Sequence, residues 1–325
     1  MKYLITGCSG FVGRYLIDHI ARHEPDAKLI GVARAPAGEG FPPGFTFREL
    51  NLLDAEGTAD LVREIRPDFV VHLASYSSVG YSWQQPIESF KNNTNIFLNV
   101  LEAVHKHAPG CRILSVGSSE EYGVVTQDET PLSEDRPLRP VSPYAVARVA
   151  QEHLSMVYAK GYKMDIVCTR SFNHVGAGQS DQFVISSIAR KFVEFMAGQR
   201  PSIVAGDTGV VRDFLDVRDV VRAYHVLLKQ GISGEAYNVC GGRGLSIKEI
   251  ITMLMEITGT KPPVEIDKSL LRPVENRVVI GSCAKLHGLT GWRPEIELKD
   301  TLAAIVEYWQ KVPSSAESGG MSLGR

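Results

Sequence analysis

Short apolar runs alternating with stretches of helical period fill the first half of the chain, and they constrain its fold more than any other feature. The runs are "KYLIT" (2–6), "KLIGVA" (28–33), "FTFREL" (45–50), "DFVVHLA" (68–74), "CRILSVGS" (111–118) and "MDIVCTRSF" (164–172). Runs of this length, rich in β-branched and aromatic residues, read as strands. Between them, Val12, Leu16 and Ile20, or Leu98, Leu101 and Val104–His105, recur at helical spacing. The alternation predicts an α/β fold: a Rossmann-type, doubly wound parallel sheet covered by helices on both faces. After residue 175 the rhythm loosens. "PSIVAG" (201–206), "EAYNVC" (235–240) and "PVEI" (263–266) read as short strands of a smaller α/β lobe. The expected organisation is a cofactor-binding domain over 1–175 and a substrate lobe over 176–312, interleaved with the first. The tail "PSSAESGGMSLGR" (313–325) lacks apolar residues to pack and is expected to be disordered.

The first strand runs into "TGCSGFVG", with Gly7, Gly10 and Gly13 and a helix beginning at about Phe11 and Val12. Glycines at such a juncture permit a tight turn and let the backbone approach a pyrophosphate at the helix N-terminus. The spacing is GxxGxxG, and alone it also fits an ordinary turn before a packed helix. Its place after the first strand of an alternating chain favours a dinucleotide. At the end of the second strand, an acid favours a free ribose 2′-hydroxyl and a cation a 2′-phosphate. "GVARAPAG" offers Arg34 and no acid. That points to NADP, with NADPH as the preferred form and NAD as the alternative.

"SPYAVAR" (142–148) reads as a helix start, with Pro143 just inside it and Tyr144 four residues before Arg148. Residues i and i+4 share a helix face. A phenol is a poor acid at neutral pH, and a nearby fixed cation favours its ionised form. "SVGSSEEYG" (115–123) puts the hydroxyls of Ser118 and Ser119 where strand ends line a ligand crevice. Serine, tyrosine and cation together suit hydride transfer to or from a nicotinamide.

With these motifs in place, the chain resembles the extended short-chain dehydrogenases/reductases, in their sugar-nucleotide epimerase/dehydratase branch. "TGCSGFVG" resembles that family's cofactor loop, "SPYAVAR" stands where it carries YxxxK, and "VRDFLDVRDVVRA" resembles its RDF-V-D-V element. The similarity spans residues 1 to about 312. Within the branch, "GSSEEYG", "RSFNHVGAGQ" and "LRPVE" look like GDP-6-deoxy-D-mannose reductases, which reduce GDP-4-keto-6-deoxy-D-mannose to GDP-D-rhamnose. GDP-mannose 4,6-dehydratases are close relatives.

The resemblance implies roles for named residues. Gly7, Gly10, Phe11, Val12 and Gly13 would hold the pyrophosphate and Arg34 the 2′-phosphate. Asn51 and Leu52 would lie beside the adenine, Asn51 standing where the family has Asp. Leu73, Ala74 and Ser75 would flank the cofactor, with Asn93 nearby and His174 near the nicotinamide. Ser118 matches the catalytic Ser/Thr, Tyr144 the acid and Arg148 the lysine. Ser119, Asn173 and Val184 would meet the sugar nucleotide, Arg212 and Arg272 its diphosphate, and Glu275 fits a base or ribose contact. Glu120 matches the dehydratase glutamate. A 4,6-dehydratase, an epimerase and a non-catalytic NADP-binding protein are the alternatives to a reductase. The resemblance also implies a homodimer built on two helices, here 87–107 and 142–160.

Composition narrows the partners. The 325 residues carry a formal net charge of -2, so there is no electrostatic reason to expect nucleic acid or an anionic membrane. No apolar run approaches the roughly 18 residues needed to span a bilayer. Five scattered cysteines without a CxxC suit a reducing cytoplasm and give no zinc or other metal pattern.

Overall fold

The computed structural model describes residues 1–35, 38–267 and 276–312. β1 (Lys2–Thr6) sends Tyr3 and Ile5 into one core cluster and Leu4 into the other. That is the period-two alternation of a strand buried on both faces. α1 (Phe11–His23) buries Leu16, Ile17 and Ile20. β2 (Lys28–Ala33) and β3 (Thr46–Glu49) extend the sheet on one side. α2 (Ala55–Ile65) is capped by Asp54, whose carboxylate accepts from the Gly57 N–H at 3.0 Å. β4 (Phe69–His72) follows, then α3 (Val79–Gln84) and the long α4 (Pro86–His107), which starts on a proline. After β5 (Arg112–Ser118), α5 (Pro143–Gly161) is capped by Ser142, whose Oγ accepts from Ala145 N–H at 3.1 Å.

β6 (Asp165–Ser171), β7 (Asn173–Val175), α6 (Val184–Met196), β8 (Ile203–Ala205), β9 (Val211–Asp216) and α7 (Val217–Gln230) come next. β10 (Ala236–Val239), β11 (Gly244–Ser246), α8 (Ile247–Thr258), β12 (Val264–Ile266), β13 (Val278–Val279), α9 (Ala284–Thr290) and α10 (Leu298–Lys311) complete the described chain.

Seven parallel strands form the main sheet in the order β10-β6-β5-β4-β1-β2-β3. The order reverses between β1 and β4, the switch point where open α/β sheets bind ligands beyond their carboxyl ends. α1 and α7 cover one face and α2, α4 and α5 the other. The sequence places "EAYNVC" in the smaller lobe; the structure puts it in the main sheet as β10, with Ala236 opposite Cys168 and Asn238 opposite Arg170 on β6. The reason is burial: all four residues of β10 are enclosed. A strand covered on both faces belongs inside a helix-clad parallel sheet.

The chain divides into two compact units. The first comprises Met1–His174, Arg212–Gly244 and Asn276–Glu295, so two stretches beyond residue 175 return to the first unit. The second comprises Val175–Val211, Leu245–Glu275 and Ile296–Arg325. In it α10 packs on α6 and α8, and β8 pairs in parallel with β12. No helix among the described residues is long and apolar enough to cross a membrane.

Candidate functional site

The carboxyl ends of β1, β2, β4 and β5 bring most of the expected residues into the first unit. Beyond Thr6 the chain enters Gly7 at φ +69°, the left-handed region that glycine adopts without strain. A Cβ on Gly7 would lie 2.8 Å from Ala74 N, and one on Gly13 would lie 2.7 Å from both Gly7 O and Cys8 O. These two glycines therefore let the loop seat against β4 and α1 seat against the loop. Gly10 precedes α1 without a side-chain cap, so the N–H groups of Phe11 and Val12 form an uncapped first turn. The cradle fits a pyrophosphate.

Thr6 ties this loop to the next. Its Oγ1 accepts from the N–H of Leu73 and of Ala74, each at 3.1 Å, and lies 3.0 Å from His72 Nδ1. With both backbone donors pointing at it, the hydroxyl gives its own proton to Nδ1 and leaves the His72 proton on Nε2. That Nε2 is buried with no partner among the described residues, and burial pushes the His72 imidazole down to about 3. Asn93, fully buried on α4, accepts from Tyr76 N–H at 2.8 Å and from Ser75 Oγ at 3.3 Å, and donates to Tyr76 O at 3.1 Å. It fixes the loop after β4. Tyr76 in turn receives Arg34, whose Nη1 donates to the phenol at 2.6 Å with the guanidinium 4.9 Å from the ring centroid. Asn51 is exposed and spends its Oδ1 on Leu53 N–H at 3.1 Å, a local turn. Leu52 is buried beside it, its carbonyl accepting from Asn99 Nδ2 at 2.8 Å.

On α5, Tyr144 and Arg148 share the face the spacing predicts. Both are buried, with the guanidinium carbon 5.2 Å from the tyrosine ring centroid. Arg148 Nη1 donates to Val116 O at 3.2 Å and to Gln151 Oε1, and Nη2 donates to Ser75 Oγ. Gln151 is oriented by its own amide N–H groups, which go to Ser115 Oγ at 2.9 Å and Val116 O at 3.1 Å. The guanidinium is thus locked to two strand ends. Its Nε alone is buried without a partner among the described residues, the mark of a donor facing a missing acceptor.

Ser118 ends β5, and Ser119 and Glu120 open the 3-10 turn Ser119–Tyr122, both half-buried. Ser118 Oγ accepts from Glu120 N–H at 3.2 Å. His174 donates from Nδ1 to Phe172 O at 3.1 Å and stacks at 8° on Phe11, ring centroids 6.4 Å apart. Burial pushes its imidazole down, so it is neutral at physiological pH. Asn173 is exposed beside it on β7. Arg212 donates from Nη1 to Asn276 O at 2.8 Å, and Asn276 in turn holds Gly123 O and Val125 N. Asp213 next to it accepts from the N–H groups of Gly241, Gly242 and Gly281; burial still pushes its carboxyl up to about 6. Val184 belongs to the second unit, exposed at the start of α6. Arg272 and Glu275 lie outside the described residues, as does the 313–325 tail. No group of three or more metal-ligating side chains occurs among the described residues.

Sequence reasoning missed Thr6, His72, Tyr76 and Gln151. Only Gln151 carried a signal, standing three residues beyond Arg148 on the same helix face.

The same architecture recurs in known proteins. A family model described as GDP-mannose 4,6 dehydratase matches residues 4–305. The chain is 36% identical to GDP-6-deoxy-D-mannose reductase of Pseudomonas aeruginosa, over 95% of this chain and 97% of that one. The structure of RMD from Pseudomonas aeruginosa in complex with NADPH superposes with a TM-score of 0.83 at 34% identity, covering 95% of this chain and 98% of that one. UDP-glucose 4-epimerase of Thermus thermophilus in complex with NAD gives 0.86 at 28% identity, covering 96% and 100%.

Proposed function

Because the chain belongs to the GDP-mannose 4,6-dehydratase family of NAD(P)-dependent nucleotide-sugar enzymes, we propose that it reduces the 4-keto group of GDP-4-keto-6-deoxy-D-mannose to GDP-D-rhamnose, using NADPH in preference to NADH. The observation that carries this reading is the full-length kinship to a GDP-6-deoxy-D-mannose reductase together with the buried Tyr144–Arg148 pair beside Ser118's strand. When bound, the nicotinamide cofactor supplies the hydride.

The chain's own residues do the rest. The backbone of Gly7 to Gly13 and the first turn of α1 hold the pyrophosphate. Arg34, braced by Tyr76, meets the 2′-phosphate, and Leu73, Ala74 and Ser75 flank the cofactor. Ser118 Oγ already accepts a backbone N–H, so its proton is available to the sugar's C4 oxygen. Tyr144 donates the proton that converts that oxygen to a hydroxyl. Arg148 keeps a charge beside the phenolate left behind, and its Nε–H, without a partner among the described residues, is a donor for a cofactor hydroxyl. Arg212, Arg272, Asn173, Ser119, Val184 and Glu275 are assigned to the nucleotide sugar.

A dehydratase is the second reading, favoured by Glu120 on the turn that follows Ser118. One experiment separates them. Purified protein is given GDP-4-keto-6-deoxymannose with NADPH in one tube and GDP-mannose with NADP⁺ in another. NADPH consumption with GDP-rhamnose formed is the expected result. Keto sugar arising from GDP-mannose instead would make Glu120 the base of a dehydratase.

The working unit we propose is a homodimer in the cytoplasm. Its interface is an apolar groove of about 650 Å³ on α3, α4 and α5, lined by Trp83, Ile87, Phe90, Val141 and Val146. Ile87 is 83% exposed, and solvated apolar surface of this kind marks a contact face. Five free cysteines suit a reducing compartment.

A further inference from the structure

Two adjacent glutamates follow Ser118, and the fold treats them differently. Glu120 is half-buried, whereas Glu121 is fully enclosed. The Glu121 side chain folds back beneath the strand end, where its Oε1 accepts from the Ser118 N–H at 2.6 Å. Residue 117 makes room for it: a Cβ there would collide with Glu121 Oε1 and lie 2.6 Å from Thr169 O. With Ser118 Oγ accepting from the turn and Glu121 accepting from Ser118, the two residues close a reciprocal capping box. With Oγ accepting from the Glu120 N–H, the Ser118 hydroxyl proton is free to donate to another acceptor.

The surroundings set the charge of this carboxyl. From α5 it faces Arg148 and Glu152, from β6 Arg170 and the Cys168 thiol, with Tyr122 its neighbour on the turn. Glu152 is already committed to Arg170, which donates to it from Nε at 2.9 Å and from Nη2 at 2.8 Å. Burial disfavours a charge here, and the nearby Glu152 carboxylate adds to the effect, so the Glu121 carboxyl is raised well above the ordinary range. Its Oε2 is buried with no partner among the described residues. An ionised oxygen is far costlier to leave unpaired there than a neutral one.

We propose that Glu121 is a positioning residue: its buried carboxyl, accepting from the Ser118 N–H, fixes the backbone of Ser118 and so aims the Ser118 hydroxyl at the substrate's reacting oxygen. The proposal rests on the reductase reading. Its test uses the full chain with Glu121→Gln, which keeps an acceptor oxygen but cannot ionise, and Glu121→Val, which removes the acceptor. In the NADPH assay Glu121→Val loses about 10- to 100-fold in kcat, since small misplacements of catalytic groups cost about that much. KM and the NADPH Kd stay within about 3-fold, because the lost interaction serves the reacting step. Glu121→Gln keeps kcat within about 3-fold of the parent. Parental kcat in Glu121→Val, an equal loss in both variants, or a loss of NADPH affinity in step with kcat overturns the role.

A second readout needs no substrate and does not depend on the valine variant folding. A carboxyl raised on folding makes the native state bind more protons than the unfolded chain, so stability falls as pH rises above about 4.3. The urea midpoint of the parent therefore declines relative to that of Glu121→Gln as pH rises above about 4.3. Parallel curves overturn the raised carboxyl. If the parent turns over no keto sugar while the curves diverge, the reductase reading fails and the raised carboxyl stands.

Discussion

Tyr144 is where the proposed chemistry concentrates, and its replacement by phenylalanine tests it. Removing one hydroxyl leaves the packing of a buried ring nearly unchanged. Turnover falls by about 100-fold or more, in line with loss of a positioned general acid, and the NADPH Kd measured by fluorescence moves little. Activity equal to the parent would remove Tyr144 from the mechanism. His72 gives a prediction of a different kind. Its native imidazole is pushed down to about 3, so below its ordinary range near 6.5 the unfolded chain binds a proton that the native state refuses. Stability is then lost as pH falls through that window, by about 1.4 kcal/mol per pH unit for this group. The acid slope of the urea midpoint becomes shallower in His72→Gln. His19, lowered to about 4, supplies a remaining slope. Gly7, Gly13, Arg34, Tyr144 and Arg148 were legible as a set because motif spacing exposes them. Thr6, Tyr76 and Glu121 were not, since each acts through a neighbour distant in sequence or through burial that no local pattern announces.

Helix α5 links sequence to site most directly. Ser142 caps it, Pro143 sets its first turn, and Tyr144 and Arg148 follow on one face. Ser142→Ala removes the acceptor for Ala145 N–H and lowers stability by about 0.5–2 kcal/mol, read as a shift in the urea midpoint. Because the cap also fixes where the helix begins, kcat falls with it; stability lost with kcat unchanged would separate the helix start from the catalytic geometry. The parallel strands were legible by their apolar runs, down to one or two residues at each end. β10 was assigned to the wrong layer because its run looks like any short strand. What decides its place is its burial and its pairing along β6, a long-range event that periodicity does not record.

At the scale of the molecule, the groove on α3, α4 and α5 predicts self-association. Ile87→Glu puts a charge in the middle of the proposed contact face, and sedimentation should show monomer where the parent sediments as dimer. A monomeric parent would retire the dimer. The loosened rhythm after residue 175 reads as a second, interleaved lobe; which stretches join the first unit was not legible, because a chain's path between units leaves no compositional trace. That path has a consequence for synthesis. A nascent chain emerging from the ribosome has all the glycine-loop and Tyr144 elements before it has β10, which pairs along the outer edge of β6. Until then β6 is an unpaired edge, open to a neighbouring chain. The order of translation thus exposes the nascent sheet to mispairing for as long as residues 236–239 are still to come.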